Sequence, residues 1–220
     1  MRNKLTFVVV LLLPLALVLA GDPPAAGDDA AVLASIDKGR AAFVAGNHQQ
    51  AIEHLQAAIG LIQERALAGL ASFLPARNPA QWEMGEVDSV SGNWGAGKSA
   101  FQWTQVTRTY DRKGAEDGPS VTVMISNSPQ LIEAQRGMVE MLKNPDMRRM
   151  MTQAQEGQKI DVIEEGEWIG MITTEAEGDT DLQMFHKKVM VQISVSPNDE
   201  KLAREFWAAV DRAGLAAAVK

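Results

Sequence analysis

The sequence predicts an α+β protein: an N-terminal antiparallel helical hairpin, then an antiparallel sheet of about five to six strands with two helices. Three observations carry this reading. Apolar residues recur at helical spacing from Asp29 to Leu74. Beyond Pro79 the period drops to two, and Phe101–Tyr110 is rich in aromatic and β-branched residues. Short polar connections join the period-two segments, as neighbouring antiparallel strands require.

Residues 21–28 (Gly-Asp-Pro-Pro-Ala-Ala-Gly-Asp) read as a disordered tether, lacking the apolar residues to pack. The hairpin spans residues 29–76. In its first helix Val32, Ile36 and Phe43 share a face, with Ala42 beside them. Gly46 ends that helix. Asn47 starts the next, with Gln50 three residues on as in a capping box. Ile52, Leu55, Ile59, Ile62 and Ala66 then form one stripe at nearly heptad spacing. Pro75 closes the helix, and residues 75–79 (Pro-Ala-Arg-Asn-Pro) form a linker with turn chemistry.

The α+β domain spans residues 77–220. Phe101–Tyr110 and Val121–Ile125 read as paired strands. Ser128-Pro129 opens a helix whose buried face is Leu131, Ile132, Met138, Met141 and Leu142. Asn144-Pro145 stops it and starts a short turn through Met151. Strands follow at Ile160–Ile163, Trp168–Thr173 and Met184–Val195. The last of these carries Val189, Val191, Ile193 and Val195 on one face. A final helix over Asn198–Arg212 buries Leu202, Phe206, Trp207 and Val210, with Gly214 as its left-handed stop.

Composition narrows the function. There is no cysteine. This excludes a disulfide framework, a thiolate metal site, a cysteine nucleophile and a lipid-anchored leader. A net charge of −7 with no long basic run argues against nucleic acid as the partner. Residues 1–20 read as a signal peptide: Arg2 and Lys4, an apolar run Leu5–Leu19 broken by Pro14, then Val18 and Ala20 before a cut at Gly21. The run is too short to span a bilayer, and no later segment is apolar enough. The expected address is the periplasm or the outside of the cell, with no membrane span after cleavage.

Several motifs invite a chemical role. Gly92-Asn93-Trp94-Gly95-Ala96-Gly97-Lys98-Ser99 matches the phosphate-loop pattern. Phosphate binding needs a helix after the loop, and the residues that follow read as a strand. We therefore take Gly92, Gly97, Lys98 and Ser99 as a chance match and assign no cofactor. Ser35 and Lys38 match S-x-x-K, without the partner motifs of penicillin-recognising enzymes. Met138, Met141, Met147, Met150 and Met151 cluster, and thioethers suit Cu(I). Met138 and Met141 fall on the predicted core face, leaving Met147, Met150 and Met151 as the alternative metal site. His48, His54 and His186 lack zinc-ligand spacing, and the acids Glu175, Glu177, Asp179 and Asp181 lack the calcium-loop pattern. Glu164, Glu165 and Glu167 read as a second solvated turn. No residue is assigned a catalytic role.

Two resemblances follow from these residues. Gly39, Ala45-Gly46-Asn47-His48, Ala51-Ile52, Leu55 and Ala58-Ile59 resemble one tetratricopeptide repeat. Ser35 stands where that repeat has Trp, Ala42 where it has Tyr, and its closing Pro is missing. One unit cannot bury its own faces, so the pair must dock on the rest of the chain or on another chain. The element order of the second domain resembles the fold of the photosystem II extrinsic subunit and its bacterial relatives, which implies an exported, mostly non-catalytic α/β/α domain. With Leu74-Pro75, Trp82 and the Met-rich helix, the whole layout resembles exported bacterial proteins that join one such hairpin to an α+β domain. That resemblance implies no activity and no site residue.

The expected function is thus an exported, non-enzymatic protein that binds another envelope protein, or itself, through its helix pair. The alternatives are a Met-rich copper-handling protein and a small-molecule or lipid-binding domain with its ligand between sheet and helices.

Overall fold

The computed structural model describes residues 28–94, 101–114, 118–154, 157–176 and 178–218. The expected signal peptide lies outside them. Helix α1 (Asp28–Val44) and helix α2 (His48–Ala71) form the antiparallel hairpin. Gly46 makes the turn at φ +78°, a left-handed conformation that favours glycine. Asn47 then caps α2, its side chain accepting from the Gln50 amide at 3.3 Å.

An eight-stranded antiparallel sheet follows: β1 (Trp82–Met84), β2 (Asp88–Trp94), β3 (Phe101–Arg112), β4 (Ser120–Ser126), β5 (Gln158–Glu165), β6 (Trp168–Glu175), β7 (Thr180–His186) and β8 (Val189–Ser196). The spatial order is β1-β3-β4-β8-β7-β6-β5, with β2 also paired to β3. Trp82–Met84 pair with the end of β3 and Asp88–Trp94 with its beginning, so the two share one edge. Helices α3 (Pro129–Leu142) and α4 (Pro145–Ala154) cover part of one sheet face, and α5 (Glu200–Ala208) and α6 (Arg212–Ala218) the other.

Strand alternation divides the core accordingly. Val121, Val123 and Ile125 of β4, with Val189, Val191, Ile193 and Val195 of β8, face Leu202, Phe206 and Trp207 of α5. The opposite face buries Ile169, Met171, Phe185 and Met190 against Ile132, Val139 and Leu142 of α3.

The fold class is as the sequence predicts, with more elements. Among the described residues the sheet has eight strands rather than five to six, and the α+β domain four helices rather than two. Strand β1 has three residues with Trp82 buried, Gly85 separates it from β2, and Asp88–Val90 of β2 are all exposed, so the two show little alternation. Met184–Val195 is two strands, not one. The turn between them is Lys187-Lys188, with Lys187 at φ +47° and neither glycine nor asparagine to mark it. The last helix ends at Ala208, and Gly214 is not its stop. Asp211 instead accepts from the Gly214 amide at 3.0 Å and starts α6. Met141 is exposed, and Val139 takes the core position on α3.

The linker is a strap anchored at its start. Leu74 and Pro75 are buried. The buried Tyr110 hydroxyl donates to the Pro75 carbonyl at 2.9 Å, and burial raises its pKa. The Arg77 guanidinium lies 3.7 Å over the Phe206 ring. Leu67, Leu70 and Phe73 join the same core as β4 and β8, so the last turns of α2 belong to the sheet domain's core. Tyr110→Phe leaves the Pro75 carbonyl buried without its donor. We expect a loss of about 1–2 kcal/mol in urea unfolding; unchanged stability would show that the strap does not depend on this bond.

Candidate interaction surface

The α1–α2 seam is built from small residues. Val32, Gly39, Ala51 and Ala58 are buried along it. A methyl group added at Gly39 would meet the Leu55 side chain at 3.0 Å, so the helices close here only because a glycine stands at the crossing. Phe43 rests on the His48 ring at 5.4 Å across the turn.

Large apolar residues lie beside this seam. At roughly 100° per residue, Ile36 and Phe43 lie on one flank of Gly39, and Ile52, Leu55, Ile59 and Ile62 lie on one flank of Ala58. Because the helices run antiparallel, the two flanks point to the same side. All six residues are exposed, between 38% and 63%. Further along the same helix Leu70 is buried under the sheet domain. The stripe on α2 is thus covered at its C-terminal end and bare over the three turns before it. Among the described residues, α1 packs chiefly against α2, while α2 reaches β2 and β3.

The motifs that invited a chemical role are scattered. Gly92 lies on β2, where an added methyl would strike the Trp103 indole at 2.8 Å. Packing across the β2–β3 pair therefore accounts for this glycine. Gly97, Lys98 and Ser99 lie outside the described residues. The segment after them is β3, paired antiparallel with β2, where phosphate binding needs a helix. Ser35 is half-buried and Lys38 exposed on α1. On α4, Met147 and Met150 are exposed, whereas Met151 packs against the α3 core. The expected trio is therefore divided between surface and core. Asp181 faces Ser194 and Gln192, whose side chains both donate to it, on the sheet face beyond α3. Glu177 lies outside the described residues.

One arrangement was not legible in the sequence. His186 is 2% exposed, and its Nε2 lies 3.0 Å from Glu167 Oε2. Its ring meets Trp168 at 5.1 Å, and Trp168 meets Trp207 edge-on at 5.0 Å. Trp207 Nε1 donates to Glu165 at 2.8 Å, and Arg212 donates to the same oxygen at 2.5 Å. The cluster ties the β5–β6 and β7–β8 turns to α5 and α6. The unmarked Lys187-Lys188 turn hid it, because His186 falls inside what reads as one continuous strand. On the other sheet face, a depression of 320 Å³ between α4 and β5 is rimmed by Arg148, Arg149 and Lys159. Lys159 already pairs with Asp161 at 2.7 Å and with Glu200 at 3.5 Å.

The His186 hydrogen bond, then the Lys187 charge, hold the Glu167 carboxyl below its ordinary value of 4.5. A depressed carboxylate contributes stability above its unfolded pKa and loses it as pH falls through the folded pKa. Glu167→Gln should therefore lower the melting temperature modestly at pH 6, with the gap to the unsubstituted chain closing below pH 4.5. A gap of the same size at pH 3 and pH 6 would contradict the pairing.

No family model matches the chain, no curated protein matches it and no solved structure matches it.

Proposed function

We propose that the chain is an exported, non-enzymatic protein that serves as a protein-interaction or self-assembly module of the cell envelope, with the helical hairpin as its contact element. The observation that carries this reading is the uncovered apolar face. Six large aliphatic or aromatic side chains lie together on one side of a two-helix layer, while the last turns of the same helix are anchored in the sheet domain. Contiguous apolar patches of this size on a single chain mark interaction surfaces. The anchored strap at Pro75–Arg77 holds the layer in place, so binding there costs little ordering entropy. The likeness of Gly39 to Ile59 to a tetratricopeptide repeat supports the same reading, since such units complete their burial against neighbours.

Export rests on Arg2, Lys4, the apolar run Leu5–Leu19 and the small residues before Gly21. No helix among the described residues is long and apolar enough to cross a membrane.

The test is a photo-crosslinking amino acid placed at Ile59 and, as a control, at Lys201 on α5, in the cell that makes the protein. The reading expects covalent protein adducts from position 59 in clear excess over position 201, on a chain whose mass begins at Gly21. Equal adducts from both positions, or none from either, would contradict the interaction reading. A chain that retains residues 1–20 and stays in the cytoplasm would contradict export.

A further inference from the structure

The uncovered face also has a spacing. On α2 the exposed residues Ile52, Leu55, Ile59 and Ile62 are separated by three, four and three positions. On α1 the exposed Ile36 and Phe43 lie seven positions apart, while Val32 and Gly39 before and between them are buried in the seam with α2. Alternating threes and fours are the seam spacing of helices that pack side by side at small crossing angles. Two helices already run antiparallel with this seam on one side. What completes such a layer is a second layer of the same kind, giving a four-helix bundle.

Building on the interaction reading, we propose that the occupant of this face is a second copy of this chain, the two hairpins meeting face to face about a two-fold axis. Four observations favour a copy over another partner. First, the α2 stripe carries the bundle spacing and Ile36 and Phe43 of α1 lie beside it, so each copy offers the other ridges and the gaps to receive them. Second, the hairpin is a single repeat-like unit, and the concave surfaces that hold peptides arise from stacking several such units. Third, the hairpin is nearly charge-balanced, with five acidic and three basic residues over Asp28–Ala71. Glu53 and Glu64 fall on the far side of α2 from the stripe, so two copies meet without burying like charges. Fourth, the six residues expose roughly 500 Å² of side chain on each copy. Two copies with their polar rims thus approach the roughly 1,200 Å² at which specific interfaces begin. A two-fold pairing uses the same patch twice and closes, so it stops at two copies.

The experiment is the solution mass of the chain from Gly21 onward, by light scattering and sedimentation equilibrium over two decades of concentration. The expected result is a mass that rises across this range to twice that of one chain, an increase kept in about 1 M salt because the contact is apolar. Ile59→Glu/Ile62→Glu should halve the mass with unchanged far-ultraviolet circular dichroism, whereas Ile59→Leu should leave it doubled. If the double variant unfolds, Phe43→Glu near the hairpin turn gives the same reading from a more exposed site. A mass of one chain at every concentration overturns the proposal. So does a folded glutamate variant that stays paired. The crosslinks from position 59 then separate the two ideas. Adducts to a different protein overturn self-pairing and keep the interaction reading; no adducts at all remove both.

Discussion

Gly39 and Leu55 meet so closely that a methyl group added at Gly39 would lie 3.0 Å from the Leu55 side chain, which would have to give way. That contact governs the hairpin. With Val32, Ala51 and Ala58 filling the rest of the seam, the helices approach until no larger side chain fits between them. Ile36, Phe43, Ile52, Leu55, Ile59 and Ile62 are thereby turned out to one side. A wider seam would let the hairpin bury its own leucines and isoleucines. The narrow one makes the layer stable in shape while leaving its apolar surface uncovered.

The rest of the chain holds that layer. The eight-stranded sheet supplies a core on both faces. Its α5 side reaches up to the last turns of α2 and to the Pro75–Arg77 strap, through Tyr110, Trp82 and the Phe206 ring. Trp82 and Tyr110 both meet Phe206 edge-on, an arrangement that aromatic quadrupoles favour. At the other end of the same face, Trp168, Trp207 and His186 fasten two turns to α5 and α6. Helix α5, through its neighbouring residues Phe206 and Trp207, therefore meets an aromatic cluster at each end of this face. It connects the strap that carries the hairpin to the far turns of the sheet.

Much of this was legible in the residues. The change of period separated hairpin from sheet, Asn47 and Gly46 marked the helical turn, and the odd-numbered residues of β8 declared its buried face. What escaped was whatever lacked a local signal. The Lys187-Lys188 turn carries none of the residues that announce a hairpin, so β7 and β8 merged. Asp211 looked like the tail of a helix rather than the start of another. The stripe on α2 was readable as a stripe, but periodicity reports only that residues share a face. Whether anything covers that face depends on where the sheet domain reaches, which is a property of tertiary packing. The His186 cluster joins residues from β5, β6, β7, α5 and α6 and has no footprint in any one segment.

The central claim is that the face beside the Gly39 seam is open in one chain and closed between two. Hydrogen exchange reads this directly at the backbone of α1, which packs chiefly on α2 within its own chain. Measured at two protein concentrations a hundredfold apart, about the range over which a weak pair forms, the α1 amides should gain protection at the higher one. Those of β4 and β8, deep in the sheet, should not change. Exchange of α1 that is identical at both concentrations, and as fast as that of an uncovered hairpin, would contradict the account.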